Sequence, residues 1–97
     1  MDANLTEANL EGANLNNAYF AGACLEQANL KGATLKETSF YCANLMHTHF
    51  EKANLKQADL EGANLEGADF ADAIWTTTNA IPNSIGKPVS DWLTGLL

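Results

Sequence analysis

Ninety-seven residues with a formal net charge of −7 allow one domain with a thin core. Twelve acidic side chains against five basic ones argue against binding nucleic acid through its phosphates, and suit a basic partner or solubility alone. Two cysteines make no disulfide framework, and no apolar run is long enough to span a bilayer.

Met1 stands two residues before the repeat begins, which leaves no room for a targeting segment and makes the cytoplasm the expected compartment. From Ala3 to Thr77 one five-residue phrase recurs fifteen times in one phase: Ala, then Asn or Asp, then Leu or Phe, then two variable residues. It is clearest over Ala53–Phe70, which reads ANLKQ, ADLEG, ANLEG, ADF.

The spacing excludes the ordinary elements. On a helix of about 100° per residue, leucines five apart would wind around the rod and leave no stripe. On a flat strand of period two, successive leucines would fall on opposite faces. Within one unit, however, Ala and Leu are two apart and share a face. A chain that turns a corner after every unit keeps both inside and sends the other three residues out. Corners near a right angle close a coil after four units, and such coils stack at about 4.8 Å. Fixed-period repeats are a signature of solenoids. Phe20 then lies under Phe40 and Phe50 under Phe70, with Ala at the other inward site leaving room for the rings.

Residues twenty apart share a face, so the outward positions read as columns. Asn4, Cys24, Asn44 and Asn64 form one and Asn9, Asn29, His49 and Asp69 the next, short polar residues that tolerate turns and ladders. Gly12, Gly22, Gly32, Gly62 and Gly67 are corner residues. Glu11, Lys31 and Glu51 alternate in sign up one column, whose neighbours attract. Around the first open coil, Leu5, Leu10 and Leu15 would present apolar side chains and unpaired backbone, an end suited to stacking on a second copy or another repeat chain. A further column carries Tyr19 and Tyr41 with Glu61 above them, the least polar outer surface and a candidate protein contact.

No catalytic constellation is legible. His47, His49 and Asp69 straddle a corner with no supporting shell, so no metal is expected. Asp59, Glu61 and Glu66 lie on a convex rod with no cleft to shift their titration. Cys24 and Cys42 fall on outward positions too far apart to bond, and read as free thiols. No cofactor is called for.

After Thr77 the pattern decays. Residues 1–80 are read as the repeat domain and 81–97 as a loop and a short helix. Pro82, Asn83, Ser84, Gly86 and Pro88 mark the loop, and Ser90 caps the helix with Asp91 in its first turn. Val89, Trp92, Leu93, Leu96 and Leu97 make one apolar stripe, suited to covering the last open coil and Trp75. A membrane-surface role lacks the basic face such helices use.

These units resemble the pentapeptide repeat proteins, over about three quarters of the chain. The resemblance implies an all-β solenoid: a right-handed, quadrilateral parallel β-helix of about four coils, here with a capping helix. Such repeats abound in cyanobacteria, which implies a cyanobacterial source. The function expected is a non-catalytic structural or protein-interaction module. The alternative is an acidic mimic of DNA, since some members of the family resemble a duplex, bind type II topoisomerases such as gyrase and confer quinolone resistance. A stack of roughly 18 Å matches only about five or six base pairs at ~3.4 Å each. Lys31, Lys36, Lys52 and Lys56 interrupt its acidity as well.

Overall fold

In the computed structural model, residues 3–75 are described. The chain turns a corner in every unit and returns to the same column after twenty residues. Each second-position residue makes a parallel bridge to its counterpart one coil above, from Asn4 with Cys24 to Asn54 with Ile74. The described coils are 3–22, 23–42, 43–62 and the first part of a fourth, 63–75. Sides one to four of the first coil centre on Leu5, Leu10, Leu15 and Phe20.

One unit shows how the backbone is satisfied. Ala43 N–H closes the corner on Phe40 C=O at 2.9 Å, and Asn44 N–H reaches down to Ala23 C=O at 2.9 Å. Leu45 and His47 N–H reach up to Asn64 and Glu66 C=O at 2.8 and 2.9 Å. Met46 N–H has no backbone acceptor and donates instead to Asn44 Oδ1 at 3.1 Å. The same side-chain bond recurs from Asn4, Asn9, Asn14, Asn29, Asn54 and Asn64, and from Asp59 and Asp69. Asn or Asp therefore follows Ala because the fourth N–H of each unit needs an acceptor two residues back.

Each described corner is made by a fifth residue at positive φ, from 57° at Cys42 and His47 to 74° at Gly22. A turn with its third residue left-handed favours glycine, yet nine of these residues carry side chains. Each such side chain costs about 1–2 kcal/mol against the right-handed alternative. Gly67 has a reason beyond backbone freedom. A Cβ there would run into the His47 imidazole from the coil below, whereas at Gly12 it would meet open space. Gly12→Ala is thus expected to cost about 1 kcal/mol, and Gly67→Ala roughly 0.5–1 kcal/mol more. The excess should vanish in a His47→Gly background, and urea unfolding of the four proteins checks this.

The interior holds the first and third residues of each unit. Leu25, Leu30, Leu35, Phe40, Leu45, Phe50, Leu55 and Leu60 are all fully buried. Thr38 and Thr48 replace Ala at two inward sites. Their hydroxyls donate to Leu15 C=O at 2.8 Å and to Leu25 C=O at 2.7 Å, each one coil below and across one corner. Burial without such partners would be unfavourable.

Phe20 stacks on Phe40 with centroids 5.5 Å apart, and Phe50 on Phe70 at 4.9 Å, as the twenty-residue coil requires. Phe40 meets Phe50 edge to face at 5.8 Å, which carries the aromatic column across the axis from side four to side two. Phe70 continues it to the buried Trp75 at 5.0 Å. Each of the first three coils holds one ring and three leucines at its unit centres.

The first coil is less complete. Leu5, Leu10, Leu15 and Phe20 are only partly buried and pack against the core from one side. The expected boundary at 80/81 and the cap formed by Val89, Trp92, Leu93, Leu96 and Leu97 lie outside the described residues.

Candidate functional site

Side four is built by three layers of the same unit. Tyr19 is the second residue of its unit, bridged to Ser39, and is 81% exposed. Tyr41 is a fourth residue, one coil higher and two places along, and is 48% exposed. Its carbonyl accepts from Gly22 N–H at 2.8 Å, and its N–H donates weakly to Ser39 Oγ at 3.5 Å. Glu61 stands in the same slot one coil above, fixed by its own N–H to Asp59 Oδ1 at 2.9 Å. The two rings thus lie diagonally on one flat side beneath a pair of carboxylates. Gly22 and Gly62 flank them at the corners, and Cys42 lies between.

Tyr41 feels these neighbours. Its phenol is held above its ordinary value near 10 by Cys42, first through the charge of the thiolate and then through a side-chain hydrogen bond, and further by Glu61 and Asp59. The folded chain keeps this proton more tightly than the unfolded chain. The contribution is therefore intact below the ordinary phenol range and lost as pH climbs through and past it. In a titration at 295 nm, the Tyr41 midpoint, isolated by difference from Tyr41→Phe, is expected above 10. Cys42→Ser should lower it more than Glu61→Gln does.

Charge is distributed unevenly around the rod. The lysines of the described residues, Lys31, Lys36, Lys52 and Lys56, all project from sides two and three. Sides one and four carry Glu7, Glu26, Glu66, Asp59 and Glu61 with no lysine among them. The alternating column on side two is more particular than charge pairing alone predicts. Lys31 Nζ lies 3.8 Å from Glu51 Oε2, while Glu11 Oε1 instead accepts from Asn29 Nδ2 at 3.2 Å. Glu51 Oε1 also faces His49 Nδ1 at 3.4 Å.

His47 and His49 line one shallow groove of about 540 Å³ with Glu7, Gln27 and Gly67. The sequence placed these histidines on either side of a corner and gave no sign that both border one depression. Its signal is Gly67, whose missing side chain leaves the room that the His47 ring fills. Among the described residues no cluster of three or more His, Cys, Asp or Glu could hold a metal ion. Cys24 and Cys42 are both free thiols.

The five-residue phase, the twenty-residue register and the ring-filled axis match a known family. A family model described as a pentapeptide repeat region matches residues 13–85. The chain belongs to the pentapeptide repeat family. A crystal structure of a pentapeptide repeat protein, Rfr23, from the cyanobacterium Cyanothece 51142 is 32% identical with a TM-score of 0.79, covering 81% of this chain and 54% of that one. A pentapeptide repeat protein from the Arabidopsis thaliana thylakoid lumen is 27% identical with a TM-score of 0.70, covering 82% of this chain and 58% of that one. The chain thus spans little more than half the length of either. No curated protein matches it. Pentapeptide repeat proteins form right-handed quadrilateral β-helices, which is the fold of this repeat, and they are generally non-catalytic. Among the described residues no helix is long and apolar enough to cross a membrane.

Proposed function

We propose that this pentapeptide repeat chain is a non-catalytic protein-interaction module that contacts its partner through side four. The observation that carries this reading is the pair of exposed rings, Tyr19 and Tyr41, beneath Glu61 and Asp59 on a side without lysine. Tyrosine gives contact area at low entropic cost, and the adjoining carboxylates select a surface bearing lysine or arginine. The partner is accordingly a protein with a basic face. The partly buried Leu5, Leu10 and Leu15 of the first coil are a second contact surface, suited to another repeat coil.

The test is affinity capture from the source organism with the wild-type chain, and with Tyr19→Ala/Tyr41→Ala and Glu61→Lys. A specific partner should be retained by the first and lost by both variants, each still folded by circular dichroism. Equal capture by all three overturns the side-four reading. The DNA-mimic alternative predicts inhibition of gyrase supercoiling at low micromolar protein. The four lysines on sides two and three weigh against it, since a duplex presents phosphates all the way round.

A further inference from the structure

Side four is where the repeat leaves its outward backbone least satisfied. Every described Asn or Asp at a second position accepts from the N–H two residues on, at 2.9–3.2 Å. Other residue types at that position break the pattern. The Thr34 hydroxyl donates to Asn14 Oδ1, and Lys36 N–H turns instead to Asn16 Oδ1 from the coil below, at 2.9 Å. Ser39 Oγ holds Tyr41 N–H only at 3.5 Å. After Tyr19, Cys24 and His49, the N–H groups of Ala21, Glu26 and Glu51 have no acceptor among the described residues.

Two of these weak places, Ala21 and Tyr41, stand one coil apart on side four, beside the exposed Tyr19. Sides one and two have one each, and side three has none among the described residues. Ala21 N–H is the more open of the pair. The register from which Asn16 serves Lys36 falls, twenty residues before Ala21, to Met1, whose thioether is a poor acceptor. Neither Ala21 nor Gly22 has a side chain long enough to cover the group.

Water meets this N–H in the free chain. A partner seated on Tyr19 and Tyr41 takes that water away, and a donor shut in without an acceptor cancels much of what the contact gains. The partner must therefore bring an oxygen to this point. A carboxylate is disfavoured by Asp59 and Glu61 on the same side, and the head of a lysine or arginine carries donors only. A main-chain carbonyl next to a lysine supplies both the oxygen and a cation from one short segment. That cation has two coil steps, about 10 Å, to cover from Ala21 to Glu61.

We propose that side four binds an extended lysine-bearing segment whose main-chain carbonyl accepts from Ala21 N–H, making from outside the bond that Asn or Asp makes elsewhere in the repeat. This rests on the side-four reading and adds the group recognised. Tyr19 exchanges an internal bond for an external one, so a partner lacking the carbonyl is rejected by the stranded donor.

The experiment records amide proton shifts of the full chain by nuclear magnetic resonance, with two probes. One is the blocked peptide acetyl-(Gly-Lys)3-amide, and the other is spermine, a cation with no carbonyl. The peptide should move the Ala21 amide proton downfield and saturably. The Glu26 and Glu51 amides, open on other sides, should stay. Spermine should move resonances around Asp59 and Glu61 and leave the Ala21 amide in place. Tyr19→Asn supplies the acceptor from within and should abolish the Ala21 shift, weakening the peptide at least fivefold relative to Tyr19→Ala, which lacks the ring but leaves the N–H open. The Asn variant should also unfold about 4–8 °C above the Ala variant.

Should both probes move side four alike while the Ala21 amide stays, the carbonyl is overturned and the side-four contact stands. Equal shifts at Ala21, Glu26 and Glu51 overturn it as well, since side four is then not selected. Absence of any side-four shift at saturating peptide overturns the contact together with the carbonyl.

Discussion

Phe50→Ala is expected to destabilise the chain by about 3–5 kcal/mol, enough to unfold much of a small domain at room temperature. Phe50 is fully buried and sits at the middle of the ring column, touching Phe40 edge to face and Phe70 face to face. Its loss opens a void on the axis that neighbouring coils, pinned by hydrogen bonds above and below, cannot collapse to fill. The reverse error is predicted to be milder. Leu60→Phe would put two rings at the unit centres of one coil, on opposite sides of a narrow interior, at about 1–3 kcal/mol. Combining Phe50→Leu with Leu60→Phe restores one ring to that coil, now above Phe40 in the side-four column, and should recover most of the stability. Urea unfolding of the four proteins checks the series. The rule of one ring per coil fails if the double variant is no more stable than Leu60→Phe alone.

The inward pairs, the twenty-residue coil and the stacked rings were legible because all three follow from a period that neither helix nor strand can satisfy. Side chains twenty apart had to meet, so Phe20 with Phe40 and Phe50 with Phe70 could be paired from the sequence. What the period could not show is anything that depends on a direction within the coil. The bond from each Asn or Asp to the N–H two residues on needs the corner geometry. The Thr38 and Thr48 hydroxyls bond carbonyls 23 residues back, off the column in which each residue stands. The crossing of the ring column from side four to side two needs the width of the interior. On side four the columns gave Tyr19, Tyr41 and Glu61 a common side but not their exposures, because a ring can lie flat or stand free. Which backbone groups of a unit point up the stack and which point down was hidden for the same reason. The period places each unit on a side but does not say how it splits its N–H groups between up and down.

That split makes length changes the sharpest test of the architecture. Removing Gln57 alone is expected to abolish the cooperative fold above it. Ala58 and the residues after it would each shift by one place, moving Leu60, Leu65 and Phe70 off the inward position and their N–H groups off the acceptors overhead. Deleting one unit, 53–57, keeps the inside inside. It turns every later residue by one side, so that Phe70 no longer stands over Phe50 and the Asn and Asp columns no longer align. Deleting a full coil, 43–62, should be nearly silent for folding despite removing four times as many residues as the single-unit deletion. Asn64 then bridges Cys24, Asp69 bridges Asn29, and Phe70 lies two columns from Phe40, the relation Phe50 holds now. Because each coil contacts only its neighbours, the loss is one intrinsic coil and one interface with no new mismatch. Thermal unfolding followed by far-ultraviolet dichroism should rank the three deletions with the largest the most stable and the smallest unfolded. Any architecture in which length rather than phase governs stability gives the opposite order.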